Sequence, residues 1–506
     1  MKSYIKYLAV VALSTTMAAC TEDFLTLTPK DLLTEANFFL SESDAQAALN
    51  GVYSVLQREE TFSNVRDAAD IEWSISGDLY EMDGAVARIE LHSLSLPPTN
   101  THIRNAYDGA YQGIGRANIV IGRVGQMNNL DENTKALIIG QAKFLRGLFY
   151  YRLANYFGGV PLITEELNAA SNLAIPRASV EEIWQQIETD LKDAAAVLPV
   201  TWTGNNIGRA TKASALGYLV KASLWQQKWS EAVTHSESII STGAYDLLPK
   251  FRDVFRETNE NNKEILFSTQ FRPSVDNEGN SLTIRSAPRG APSQYTGAGA
   301  FSNFVPQKHW VAAFEKDQNG RIKDRRYWDV IIGPGEPHQD MTSFVMPVNV
   351  PSGWSRSGYI LTKYWEAPAL ANAGVNPPIL RYAEALLNYA EALNEVGQSS
   401  KAMEQVNRIR ARAGLDPKPL TLAQNEVLDA IYYERRMEFI WEPAGAFSDL
   451  NRRGRFISFI RANRPDFATL NIDKKPWLST IPIRFPIPKE AWDKNKALVQ
   501  NEHYTF

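Results

Sequence analysis

The chain has 506 residues, 44% of them hydrophobic and 22% charged, which is enough apolar material for a large buried core and is ordinary for a folded protein. A formal net charge of -4 gives no electrostatic basis for nucleic-acid binding. No stretch reaches the ~20 apolar residues of a membrane-spanning helix, and a single cysteine excludes a disulfide framework within the chain.

The N-terminus reads as a targeting segment. Lys2 and Lys6 form a positive start, Leu8 to Leu13 is a short apolar run, and Ala18-Ala19 leads directly to Cys20, the sole cysteine. That arrangement predicts a signal peptide over residues 1–19 and lipidation of Cys20; the alternative is ordinary cleavage beside an incidental cysteine. Several acyl chains on Cys20 would hold the protein firmly to a membrane, at ~0.8 kcal/mol per buried methylene. Residues 21–36 read as an extended tether.

Helical periodicity begins at Ala45 to Leu56, with Ala48, Leu49, Val52 and Leu56 on one face. Residues 57–104, which hold Trp73, Tyr80, His92 and a Pro97-Pro98 break, read as loops. Helices are predicted at about 105–127 and 131–157, the second starting at Asp131 and stopped by Gly158-Gly159 and Pro161. Ser179 and Glu182 form a capping box for the next helix, and Pro199 ends it. Two more helices follow at about 212–228 and 231–242, then a strand from Glu264 to Phe271. From 271 to 363 the helical pattern is absent except at Trp310 to Phe314, and Gly, Pro, Ser and aromatic residues dominate. A span this long is expected to form small hairpins or a functional insertion.

The stretch from 379 to 415 then gives a helical hairpin. Ala383, Leu386, Ala390, Leu393 and Val396 line one helix, Gly397 to Ser400 turns the chain, and Ala402, Met403, Val406, Ile409 and Ala413 line the other before Gly414. Its small and apolar positions match the spacing of a tetratricopeptide hairpin. Further helices are predicted at about 425–440 and 447–461, before a Pro-rich, aromatic tail over 462–506. About four helix pairs suffice for a stack in which neighbours bury each other's faces. The predicted fold is therefore mainly α, a tetratricopeptide-like helix-pair scaffold over about 37–260 and 379–461. It carries a large loop- and hairpin-rich region over about 268–365, within a single domain from residue 20 to 506.

Several segments, in order, resemble the SusD-like (RagB/SusD) lipoproteins of the outer membrane. They are Gly140 to Ile163, Val180 to Pro199, Gly208 to Ala213, Phe304 to Asp317, Lys363-Tyr364, the 379–415 hairpin, the Glu434, Arg435 and Glu438 helix, Asp449-Leu450, and the terminal Pro486-Ile487-Pro488 with Leu498 to Asn501. Glu22 and Asp23 behind Cys20 resemble the acidic export tag of surface lipoproteins in Bacteroidetes. The chain departs from the family where WEPAGAFSDL over 441–450 has Pro443 for a glycine and lacks an arginine, and where Glu502-His503 replaces a usual Pro-Gly. The resemblance implies a surface-exposed protein, lipid-anchored in the outer membrane, that captures a glycan and passes it to a SusC-like TonB-dependent β-barrel transporter. It implies no catalytic site.

The motifs that the chain lacks agree with a binding protein. No GxxxxGK[ST] loop or GxSxG elbow is present, Gly297-Ala298-Gly299 lacks the context of a dinucleotide site, and the six histidines have no metal-ligand spacing. We therefore expect no cofactor and no metal, and a glycosidase carboxylate pair is the enzyme alternative. Sugar rings pack their C–H faces on aromatic planes, while planar polar groups pair with hydroxyls. Trp184 and Trp225 lie on apolar helix faces and are expected in the core. The loop aromatics Trp73, Tyr80, Tyr295, Phe301, Trp354 and Tyr359, with Arg289, Asn303 and Arg356 nearby, are the candidate ligand contacts, Tyr295, Trp354 and Trp73 foremost. Two other readings are a peptide-binding uptake lipoprotein of the same architecture and a tetratricopeptide-type protein-interaction scaffold.

Overall fold

The computed structural model describes residues 38–58, 70–81, 85–168, 170–273, 278–297 and 299–506. The signal peptide, Cys20 and the tether lie outside the described residues. Among the described residues no helix is long and apolar enough to cross a membrane.

The first elements are helix α1 (Glu42–Tyr53), strand β1 (Leu79–Glu81) and helix α2 (Val86–His92). A single π-type turn at Asp70–Ser74 precedes β1. Residues 57–104 are thus not all loop: α2 is a short helix that no capping signal announces, since Ala85 makes no side-chain cap. Helices α3 (Thr101–Gln126), α4 (Glu132–Phe157) and α5 (Val180–Val197) follow. The Asp131 side chain accepts from the Thr134 N–H, and Ser179 and Glu182 form the expected reciprocal box. Helices α6 (Lys212–Trp225) and α7 (Trp229–Ile240) complete the N-terminal scaffold.

Close approach between these helices depends on their small residues. A Cβ on Gly113 of α3 would lie 2.2 Å from the Phe149 ring of α4, so only glycine lets these helices cross there. Arg146 of α4 binds both carboxylate oxygens of Asp190 on α5, at 2.8 and 2.6 Å, and donates to Asn118 of α3 at 2.8 Å. Three helices therefore share one buried guanidinium. Trp184 is buried and stacks on the partly buried Trp225 at 5.9 Å, as the periodicity implies.

Between the two helical blocks come β2 (Ile265–Ser268), α8 (Leu282–Ser286), α9 (Ser293–Thr296), β3 (Phe304–Pro306), α10 (Lys308–Ala312), α11 (Arg325–Val330), β4 (Ile331–Ile332) and β5 (Ile360–Leu361). Strand β6 (Pro378–Arg381) leads into α12 (Tyr382–Glu395), α13 (Ser399–Arg412), α14 (Gln424–Glu438), α15 (Ala446–Arg452), α16 (Phe456–Asn463) and, in the tail, α17 (Lys489–Lys494). The helical hairpin starts three residues later than its periodicity suggests. Residues 378–381 are taken by an antiparallel pairing with β2. Gly397 and Gly414 have φ of +79° and +72°, the left-handed turn and cap expected of them. Ala390 and Ala402 are fully buried where α12 and α13 meet.

One hydrophobic cluster runs from Ala45 to Leu498 through both helical blocks, and roots the intervening region through Phe304, Trp310, Phe314, Tyr327 and Tyr364. A smaller, separate cluster lies within that region: Ile284, Ala287, Ala291, Ile332, Phe344, Met346, Ile360, Trp365 and Ala369.

Buried ion pairs join the two. Arg381 binds Glu442 at 2.7 Å, Glu264 at 2.9 Å and Glu438 at 2.6 Å. Arg412 pairs with Glu264 and Glu438, and Arg326 with Asp324 at 2.7 Å and Glu434 at 2.8 Å. Lys363 reaches Glu442, and Arg252 donates to the Trp365 carbonyl at 2.8 Å and to Asp340 at 2.9 Å. Burial alone would raise the Glu438 carboxyl, but the guanidiniums of Arg412, Arg381 and Arg326 outweigh it and hold it well below the usual range. Such pairs add little net stability, yet removing one member strands its partners and costs ~3–5 kcal/mol.

Candidate functional site

The separate cluster supports the candidate site. Phe344 is buried between three rings: Tyr295 edge-on at 5.1 Å, Trp365 edge-on at 5.1 Å, and Trp354 stacked at 6.2 Å. Tyr295 and Trp354 are half-buried, so each rests on Phe344 and still meets solvent. Phe344 lies 19° from the Trp354 plane and 67° from that of Tyr295, so those two outer planes are inclined by at least 48°, the difference of the two angles.

Local hydrogen bonds fix both rings. The Tyr295 carbonyl accepts from the Trp365 indole N–H at 3.2 Å and from the Ala369 N–H at 3.2 Å, and its hydroxyl lies 3.2 Å from the Ser343 Oγ. The 351–359 loop turns on Pro351, whose carbonyl accepts from the Trp354 N–H at 2.8 Å. The Ser355 hydroxyl closes the loop by donating to the Tyr359 carbonyl at 2.6 Å.

A second group forms beside it. Strand β1 pairs antiparallel with β3, opposing Tyr80 to Val305 and bringing the early segment to the middle of the chain. Tyr80 is half-buried, edge-on to His92 at 4.8 Å, with the Arg356 guanidinium 5.7 Å from its ring centre. Burial, then the charge of Arg464, pushes the His92 imidazole down to about 4. Arg289 is exposed, and Phe301 is 42% exposed beneath the Arg285 guanidinium. Tyr359 is half-buried against Gly333 and Tyr327, where a Cβ on Gly333 would lie 2.9 Å from its ring.

Two candidates are corrected. Trp73 is fully buried, its indole N–H donating to the Glu442 carbonyl at 2.9 Å, because the π-type turn aims it into the main core. It offers no face to a ligand. Asn303 is 2% exposed, held inward by its backbone N–H on the Arg285 carbonyl at 2.9 Å. Conversely, sequence reading missed Phe344 and Trp365, the buried supports of the face. A region with no regular period gives no signal for which ring faces in.

Concavities also lie elsewhere. One of about 500 Å³ is lined by residues including Asn451, Phe456, Pro476 and Ile481; another of about 290 Å³ by residues including Trp202, Arg209, Tyr245 and Asn261. Neither includes a predicted contact. Among the described residues no group of three or more His, Cys, Asp or Glu is placed to hold a metal ion.

A helix-pair scaffold bearing a loop-built aromatic face, with many of its buried charged groups held in structural pairs, defines the tetratricopeptide-like class of helical folds. The chain belongs to the SusD-like family. Its residues 345–504 match the SusD family model and residues 23–224 match the model described as starch-binding associating with outer membrane. It is 24% identical over 524 residues to SusD-like protein P25 of Formosa agariphila, covering 95% of each chain. Among solved structures it resembles a SusD superfamily protein from Bacteroides vulgatus, with a TM-score of 0.78 at 23% identity over 92% of this chain and 99% of that one. It also resembles a laminarin-binding SusD-like protein, with a TM-score of 0.74 at 24% identity over 91% and 99%.

Proposed function

We propose that this chain is a noncatalytic glycan-capture lipoprotein. Anchored in the outer membrane through Cys20 and exposed at the cell surface, it holds an oligosaccharide at the loop-built face and delivers it to a SusC-like TonB-dependent β-barrel. Tyr295 and Trp354 provide the stacking surfaces, with Tyr80, Tyr359 and Arg289 at the margins. The observation that carries this reading is the half-exposed pair of rings seated on Phe344. Rings fixed from below need little ordering when a ligand arrives, which lowers the entropic cost of binding. Their mutual inclination suits a glycan whose successive sugars turn, rather than a flat ribbon. The family models, and a fold neighbour whose own name describes laminarin binding, support the same ligand class.

Titrating the soluble mature chain against a panel of oligosaccharides and of peptides tests the proposal. Saturable binding of at least one glycan is expected. Binding of peptides with silence toward every glycan would move the chain to the peptide-uptake alternative. For the anchor, Cys20→Ala is expected to release a soluble periplasmic protein, and continued membrane attachment would remove the lipoprotein assignment.

A further inference from the structure

Several arginines outside the core pair with carboxylates. Arg104 meets Glu490 at 2.8 Å, Arg408 meets Asp246 at 3.2 Å, and Arg453 meets Glu395 at 2.6 Å. Others, among them the exposed Arg321, Arg325 and Arg461, do not, and two of the unpaired arginines stand at the aromatic face. Among the described residues, neither Arg289 nor Arg356 has a carboxylate within 4.0 Å, and both are exposed. The Arg289 guanidinium reaches only the Phe301 carbonyl, at 3.4 Å, and Arg356 only overlies the Tyr80 ring.

Both flank Trp354. Arg356 follows it by two residues on the closed 351–359 loop. Arg289 adjoins Gly290, where an added Cβ would lie 3.5 Å from the Trp354 indole nitrogen. Backbone geometry fixes each position: Gly290 and Gly358 take φ of +83° and +87°, and the Arg289 N–H donates to the Ser302 hydroxyl at 2.7 Å. The two arginines are therefore presented from defined backbone in segments that adjoin a half-exposed indole.

The chemistry of that margin is one-sided. A neutral sugar offers hydroxyls that both donate and accept, and sites for such sugars mix donors with acceptors. A guanidinium is a donor only, and its planar fork matches the two oxygens of a carboxylate or sulfate. With no carboxylate among the described residues taking them up, both forks are left to an external acceptor. This concentration of open positive charge occurs in a chain whose formal net charge is -4.

We propose that the sugar resting on Trp354 belongs to an anionic glycan, whose uronate carboxylates or sulfate esters are received by Arg289 and Arg356. The inference rests on the glycan-binding reading given above and narrows its ligand class.

The test is calorimetric titration of the mature chain with three oligomers of matched length: an oligogalacturonate, a sulfated glucan and a neutral β-1,3-glucan. At least one anionic oligomer is expected to bind about tenfold more tightly than the neutral one. That preference should shrink as NaCl rises from about 50 to about 500 mM, where charge interactions are screened. The two anionic arms separate carboxylate from sulfate recognition. The double variant Arg289→Gln with Arg356→Gln should lose the preference while its melting temperature stays unchanged, since neither side chain holds an internal ion pair. Equal or tighter binding of the neutral oligomer, or an anionic preference untouched in the double variant, would overturn the inference and leave glycan binding intact. Binding of no glycan at all would instead remove the reading beneath it.

Discussion

The helical scaffold and the loop-built face solve the problem of rigidity differently. The scaffold uses a continuous apolar core crossed by multiply paired charges, with Arg381 alone holding three carboxylates. The face stands on a small cluster around Phe344 and is tied down mostly by carbonyl acceptors and short turns. A large cooperative core tolerates local loss poorly but opens rarely. A small satellite cluster opens at lower cost, which is where binding surfaces are generally drawn from. Rigidity for the face is thus borrowed from the scaffold through Arg252 and Lys363, not generated within it.

The largest effect should come from the junction. Arg381→Met leaves Glu264, Glu438 and Glu442 facing one another, and is expected to lower unfolding free energy by ~3–5 kcal/mol in urea titrations. A change under ~1 kcal/mol would mean that the charge cluster relaxes and the two regions are not coupled through it. Next, Phe344→Leu should cost ~1–2 kcal/mol locally. Amide exchange is expected to quicken over 284–301 and 341–369 while the helices stay protected; uniform acceleration would show that the satellite cluster is part of one cooperative unit.

At the surface, Trp354→Ala should weaken glycan affinity about tenfold, or ~1.4 kcal/mol, with unchanged melting. Trp73→Phe should do the reverse, lowering stability and sparing affinity, because Trp73 is wholly buried. A separate test is pH. Burial, then the charge of Arg252, pushes the His338 imidazole beneath Trp365 down to about 3. Its folded value lies below the unfolded ~6.5, so the unfolded chain binds the proton first. This contribution to stability is present above pH ~6.5 and is lost as pH falls toward 3, on the order of 1 kcal/mol per unit. The depressed carboxylates of the scaffold, Glu438 among them, release their contribution only below pH ~4. Exchange measured from pH 6.5 down to 4.5 should therefore show the face loosening before the scaffold, and simultaneous loss would break the distinction.

Legibility in the sequence followed the same division. Helices α4 and α5 and the α12–α13 hairpin carry period, caps and glycine stops, so each was readable from local chemistry. The residues behind the family resemblance, Glu434, Arg435, Glu438 and Lys363, prove to be members of the buried charge pairs, which explains why they mark architecture and not ligand. In the middle region, composition identified aromatic loops but not ring direction. Tyr80 joins the face only through the β1–β3 pairing across more than two hundred residues, a long-range contact that no local pattern encodes. Trp73, six residues before β1, was indistinguishable from Tyr80 in sequence and ended in the core.

The most direct measurement is amide exchange of the mature chain with and without a saturating oligosaccharide. Ligand protection confined to 287–301 and 343–359 is the expected result. Protection appearing instead along α6, α7, α12 and α13, with the loop segments unchanged, would contradict the assignment of the face and place recognition in the helical groove.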